Sequence, residues 1–168
     1  MKISFFGGSR ADKETCKLAY QLGQKIAQKG HTLVNGGGPG AMEAIAKGAF
    51  EEGGKVISLT IADSAILTLG YRHKYTTKLI EFKDYSRRIK DFLKSDRFII
   101  LPGQIGTIEE FLIVWIETIT KNLKPIILMG KRNKKLIDFL VSNGYVKKDE
   151  HLPYIQYAKT IKDIDFLI

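Results

Sequence analysis

Three short apolar runs in this chain end in glycine-rich turns, and each turn leads into a segment of helical periodicity. Residues 2–6 run into Gly7-Gly8-Ser9, residues 31–34 lead to Gly36-Gly37-Gly38-Pro39-Gly40, and residues 98–101 run into Pro102-Gly103-Gln104-Ile105-Gly106-Thr107. Strand, tight turn and helix in that order form the repeating unit of a parallel sheet, because parallel strands need a crossover that a helix supplies. Strands are expected at 2–6, 31–34, 56–61, 79–82, 98–101 and 125–129, and helices at 12–29, 40–52, 85–94, 107–120 and 134–142. The fold class is therefore α/β, a Rossmann-like doubly wound parallel sheet with helices on both faces. Asp12 is placed to cap the first helix, Gly30 to end it, and Gly53-Gly54 to end the second.

With 168 residues, 44% of them hydrophobic, the chain can bury about two-thirds of its unfolded surface, which points to one domain spanning 1–168. The single Cys16 cannot form an internal disulfide, and Met1-Lys2-Ile3-Ser4 runs straight into a strand pattern instead of a signal peptide. A soluble protein in a reducing, cytoplasmic setting is expected. The apolar stretches fall short of the roughly 18 to 20 residues that span a bilayer, so no membrane partner is expected. The net charge of +9 favours anionic partners. Lys131, Arg132, Lys134, Lys135, Lys147 and Lys148 read as solvated helix faces without interleaved aromatic stacking residues, so nucleic acid is the less expected partner.

In such sheets the ligand sits beyond the carboxyl ends of the strands, where strand order reverses. Glycine lets backbone approach an oxyanion, and a following helix offers free N–H groups to a phosphate. Thr107 is expected to cap its helix, and its hydroxyl is also suited to a phosphate oxygen. Gly36 to Ala41 formally matches a dinucleotide fingerprint, but it follows the second strand and Asp63 lies in an irregular region, so no dinucleotide cofactor is expected. No P-loop pattern occurs. His31, His73 and His151 are isolated, with no metal-ligand spacing. The stretch 62–78, with Tyr71, Arg72, His73, Lys74 and Tyr75, is either a cover over the ligand or a plain connector. Cys16 reads as a packed helix residue, and the stripe from Phe111 to Ile119 around Trp115 reads as core or subunit interface.

The segments Gly36-Gly37-Gly38-Pro39-Gly40-Ala41-Met42-Glu43-Ala44 and Pro102-Gly103-Gln104-Ile105-Gly106-Thr107-Ile108-Glu109-Glu110 resemble the two signature turns of the Lonely Guy family. The spacing from Arg87 through Ser95-Asp96 to Pro102 is similar to the family pattern as well. That resemblance implies a cytokinin-type nucleoside 5′-monophosphate phosphoribohydrolase needing no metal or redox cofactor. It implies a homodimer, or a higher homo-oligomer, with the active site completed near the subunit boundary. Arg87 and Glu110 match the family's catalytic positions, and Gly8, Ser9, Gly37, Gly38, Gly40, Met42, Arg88, Gly103, Gly106 and Thr107 are the implied substrate and phosphate contacts. Cleaving an N-glycosidic bond builds positive charge on the ribose and negative charge on the departing base, which suits a carboxylate near one and a cation near the other. Glu109, one residue from Glu110, points elsewhere on the helix and is secondary.

Three positions depart from the pattern. Gln104 stands where the family has a second glycine, Arg88 where it has lysine, and Asp91 where it has methionine. A side chain at 104 would narrow the phosphate cradle or demand a backbone angle open to glycine alone. Binding without turnover is thus the rival expectation, as in the molybdenum-cofactor carrier proteins that share this fold.

Overall fold

The strand, turn and helix units assemble into one sheet in a computed structural model that describes residues 1–62, 73–123, 125–164 and 167–168. The elements are β1 (Lys2–Phe6), α1 (Lys13–Gln28), β2 (Thr32–Asn35), α2 (Ala41–Glu51), β3 (Lys55–Ile61), β4 (Lys78–Phe82), α3 (Tyr85–Phe92), β5 (Arg97–Ile100), α4 (Ile105–Thr120), β6 (Ile126–Met129) and α5 (Lys131–Ser142). Short pieces follow: α6 (Lys148–His151), a 3₁₀ turn (Leu152–Tyr154), β7 (Ile155–Ala158) and α7 (Ile161–Ile164). The sheet order is β4-β3-β2-β1-β5-β6-β7, and every neighbouring pair is parallel. The chain steps outward from β1 to β4, then returns to the other flank of β1 with β5. The reversal of order therefore lies between β1 and β5.

Side chains alternate across each strand, so the sheet feeds two cores. Ile3, Phe5, Leu33, Val56 and Ile99 pack beneath α1 and α2 with Leu22, Ile26 and Ile45. Phe6, Val34, Leu59, Phe98 and Ile100 pack on the opposite face with Phe92, Phe111, Val114 and Ile137 of α3, α4 and α5. The doubly wound expectation is borne out. On the first face α1 and α2 cross with backbones touching: a Cβ on Gly23 would fall onto the Ile45 carbonyl oxygen, and one on Gly48 onto that of Tyr20.

Asp12 caps α1 as expected, its Oδ1 accepting from the Thr15 N–H at 2.7 Å. Gly30 and Gly53 follow the C-caps of α1 and α2 in the left-handed region, at φ 71° each. Two helices begin earlier than their sequence patterns suggest. Helix α4 starts at Ile105, not at 107, because Gly106 has open space around it and is tolerated inside the first turn. Thr107 consequently does not cap α4; Gln104 holds that position, and Thr107 is a buried residue of the first turn. Helix α5 starts at Lys131 because Gly130, at φ 89°, turns the chain directly after β6. Neither β7 nor the short helices around it announce themselves in the sequence pattern. Among the described residues, no helix is long and apolar enough to cross a membrane.

Candidate functional site

The three glycine turns meet at the point where the sheet reverses. Gly8 ties them together: its N–H donates to the Pro102 carbonyl at 3.3 Å, and its own carbonyl accepts from the Ala41 N–H at 3.0 Å. Close approach is what glycine supplies here. A Cβ on Gly103 would collide with the Thr107 hydroxyl and stand 2.9 Å from the Gly8 nitrogen, and one on Gly40 would stand 2.6 Å from the Gly8 carbonyl oxygen. The Gly8 and Ala41 N–H groups are spent on this knot. No side chain caps α4, so the N–H groups of its first turn stay open to a ligand.

Gln104 lies over this junction. Its backbone has φ −92°, an ordinary value for any residue, so the strain expected from a side chain at this position does not arise. The side chain does occupy space beside Gly8, whose Cβ would meet Gln104 Oε1 at 3.0 Å, and its Nε2 donates to the Arg10 carbonyl at 3.4 Å.

On the α3/α4 side of the sheet a buried ion pair closes the crevice. Arg88 Nη1 donates to Glu110 Oε1 at 3.1 Å, and Arg88 Nε donates to the Leu59 carbonyl at 2.8 Å. The guanidinium also lies 4.9 Å from the Phe92 ring centroid and 5.7 Å from that of Tyr85. Side-chain exposures of 11% and 13% leave this pair little water. Burial pushes the Glu110 carboxyl up to about 6, against the opposing pull of the Arg88 charge. Tyr85 donates its hydroxyl to Glu109 Oε2 at 3.0 Å, and burial together with the Glu110 charge pushes its own hydroxyl up to about 12. Glu110 sits in the second turn of α4, two residues further into the helix than a start at 107 would put it, because the helix begins at Ile105.

Gly36 is the seat of Arg88. A Cβ there would lie 2.6 Å from Arg88 Nη2 and 3.0 Å from Met42 Sδ, which brings the second turn, α2 and the ion pair into one neighbourhood. Arg87 is not brought to it. Its backbone N–H is held by the Asp84 cap at 3.0 Å, its side chain is exposed, and it makes no side-chain hydrogen bond among the described residues. Adjacent helical residues diverge by about 100°, so Arg87 and Arg88 cannot both face Glu110.

Beyond β2 and β3 the structure assembles a polar group that sequence reasoning missed. Asn35 Oδ1 accepts from the Gly37 N–H at 2.7 Å and from the Ser58 hydroxyl at 3.3 Å, and Ser58 in turn bonds Thr76. Asn35 Nδ2 is buried with no partner among the described residues, a donor left unspent. A signal exists in the sequence: Asn35 closes an otherwise apolar strand immediately before the glycine run. Gly37 and Gly38 line a cleft there with Met42 and His73, so the far end of the 62–78 stretch does reach the glycine turns. Tyr71, Arg72 and Asp63 lie outside the described residues. Ser9 and Gly106 flank the knot, Gly106 being exposed in the first turn of α4. Among the described residues, no three His, Cys, Asp or Glu side chains stand close enough to share a metal ion. Cys16 is half-buried and its thiol is pushed up by desolvation, as suits a packed residue.

A parallel sheet that reverses its order at a glycine-lined crevice defines a Rossmann-like α/β protein. The chain belongs to the SLOG cluster4 family, whose model matches residues 1–156. An uncharacterized protein of Archaeoglobus fulgidus is 33% identical over 134 residues, 79% of this chain and 86% of its own length. The cytokinin riboside 5′-monophosphate phosphoribohydrolase LOG5 of Arabidopsis thaliana is 31% identical, across 89% of this chain and 69% of its own. These relatives bear out the family resemblance carried by the two turns. Among solved structures, the molybdenum cofactor binding protein of Rippkaea orientalis superposes with a TM-score of 0.75 over 99% of this chain and 93% of that one, at 24% identity, which shows a shared fold.

Proposed function

We propose that the protein is a nucleoside 5′-monophosphate phosphoribohydrolase that releases a free base and ribose 5-phosphate from an AMP-type nucleotide, with or without an N6-prenyl group. The observation that carries this reading is Glu110, a buried carboxylate paired with Arg88 behind an uncapped helix start that suits a phosphate. The 5′-phosphate is held by the first turn of α4 and the Thr107 hydroxyl, with Gly103 keeping the backbone close. The C1′–N bond breaks as positive charge grows on the ribose. Glu110, ionised above about pH 6, stabilises that charge or takes a proton from the attacking water. The water oxygen bonds to C1′, and one water proton ends on the departing base. Arg88 orients the carboxylate and opposes its protonation. Arg87, at the exposed rim, grips the nucleotide and offsets charge on the leaving base, but its guanidinium is a poor proton donor.

The reading extends to assembly. Ile105, Leu112 and Ile116 are 80%, 39% and 64% exposed along one side of α4, an apolar stripe suited to a second copy of the chain in a cytoplasmic homodimer. One observation favours a second reading, a non-catalytic nucleotide or molybdenum-cofactor carrier: the Gln104 side chain lies beside Gly8 where a glycine would leave the cradle open.

Release of base and ribose 5-phosphate from AMP and from N6-prenylated AMP, measured with wild-type and Glu110→Gln protein, separates the two. Turnover should fall by at least about a hundredfold in the variant while monophosphate binding persists. Binding without release in the wild type would favour the carrier; full activity in the variant would remove Glu110 from the mechanism.

A further inference from the structure

The carboxyl ends of β1, β5, β6 and β7 surround a second pocket, on the other side of Gln104 from the glycine turns of α2. Four cations line it from three separate turns: Arg10 after β1, Lys131 and Arg132 at the start of α5, and Lys159 after β7. Gly130 folds the β6 turn against the β5 turn, where a Cβ would stand 2.5 Å from Pro102 Cγ.

The charges here differ from those on the ordinary solvated faces of the molecule. Lys47, Lys94, Lys121, Lys134 and Lys147 each pair with a carboxylate three or four residues away in sequence. No side-chain nitrogen of the four pocket cations has a carboxylate within 4.0 Å among the described residues, although Asp163 accepts from the Lys159 backbone N–H at 2.8 Å and feels the Lys159 charge. Asp12, on the same wall, spends an oxygen on the α1 cap and feels Arg132 only at longer range. No side chain caps α5, so its open N–H groups add to the same field. Four cations against Asp12, Glu14 and, beside Lys159, Asp163 leave a net positive field suited to an anion.

We infer that this pocket is a second anion site, which takes the phosphate groups of a small phosphorylated molecule independently of the nucleotide crevice. Gln104 and Pro102 line it on the side of the β5 turn, and among the described residues none of its four cations contacts the Arg88–Glu110 pair.

Calorimetric titration of the full chain with inorganic pyrophosphate, at constant ionic strength, tests this. The Lys131→Ala/Arg132→Ala pair and, from different turns, the Arg10→Ser/Lys159→Ser pair should each weaken binding by at least roughly tenfold. Thr107→Val, in the crevice, should change it by less than about twofold. All these cations are exposed, and unchanged melting temperatures would verify that the variants fold. Equal weakening by Thr107→Val would put pyrophosphate in the crevice and overturn the inference. So would a lack of saturation, or an oligonucleotide whose binding depends on these cations when pyrophosphate does not bind. No readout involves base release, so failure here and failure of the hydrolase reading remain distinct.

Discussion

At the scale of single residues, the Arg88–Glu110 pair governs how this site responds to pH. Desolvation raises the Glu110 carboxyl and the Arg88 charge lowers it, with desolvation the larger. If the ionised form is the working one, kcat/KM should fall about tenfold per unit below pH ~6. Arg88→Met removes the opposing charge, so the acid limb should move to higher pH by ~1 unit or more, whereas Arg88→Lys should leave it near its original place. A pH–rate profile checks this, and an unmoved limb in Arg88→Met would show that another group sets it. The same raised value has a stability consequence of definite sign. Protonated Glu110 favours the fold, so its contribution is complete below about pH 4.5 and is lost as pH rises through about 6. Glu110 is legible in the sequence from its place after the phosphate turn. The inward position of Arg88 and the outward one of Arg87 are not, because which of two adjacent helical residues faces a strand end depends on how α3 rotates onto the sheet.

Among the elements, α1 and α2 make the closest helix contact, and it depends on two glycines rather than on large side chains. Gly23 and Gly48 meet the backbone carbonyls of Ile45 and Tyr20, which cannot swing aside as a side chain would. Gly48→Ala should therefore cost ~3 kcal/mol despite alanine's better helix propensity, which alone predicts a gain of about 1 kcal/mol. Denaturant unfolding gives the answer through its sign alone: a more stable variant would mean the helices can part cheaply. Helix ends carried by local chemistry, such as the Asp12 cap and the Gly30 and Gly53 turns, are readable from the sequence. The start of α4 is not, because Ile105-Gly106 continues a turn-like composition into the helix. Strand β7 escapes for a related reason: four residues with two exposed or half-exposed side chains give no sustained apolar run.

For the whole molecule, the exposed stripe of Ile105, Leu112 and Ile116 runs along α4, the helix that also carries Glu110. Placing a charge on this stripe should cost an assembly far more than it costs the monomer. Ile116→Glu should convert an oligomer to monomer in sedimentation analysis with little change in melting temperature; an unchanged assembly would move the interface elsewhere. The sequence by itself determined the alternation of strands and helices, the parallel sheet and the three glycine turns, because hydrophobic period and glycine's backbone freedom act over a few residues. Only the tertiary structure decided that Gly8 knots those turns together, that Arg88 rather than Arg87 meets Glu110, and that Arg10, Lys131, Arg132 and Lys159 share one pocket. Those groups are far apart in sequence, and their meeting depends on strand order and helix rotation, which no local pattern encodes.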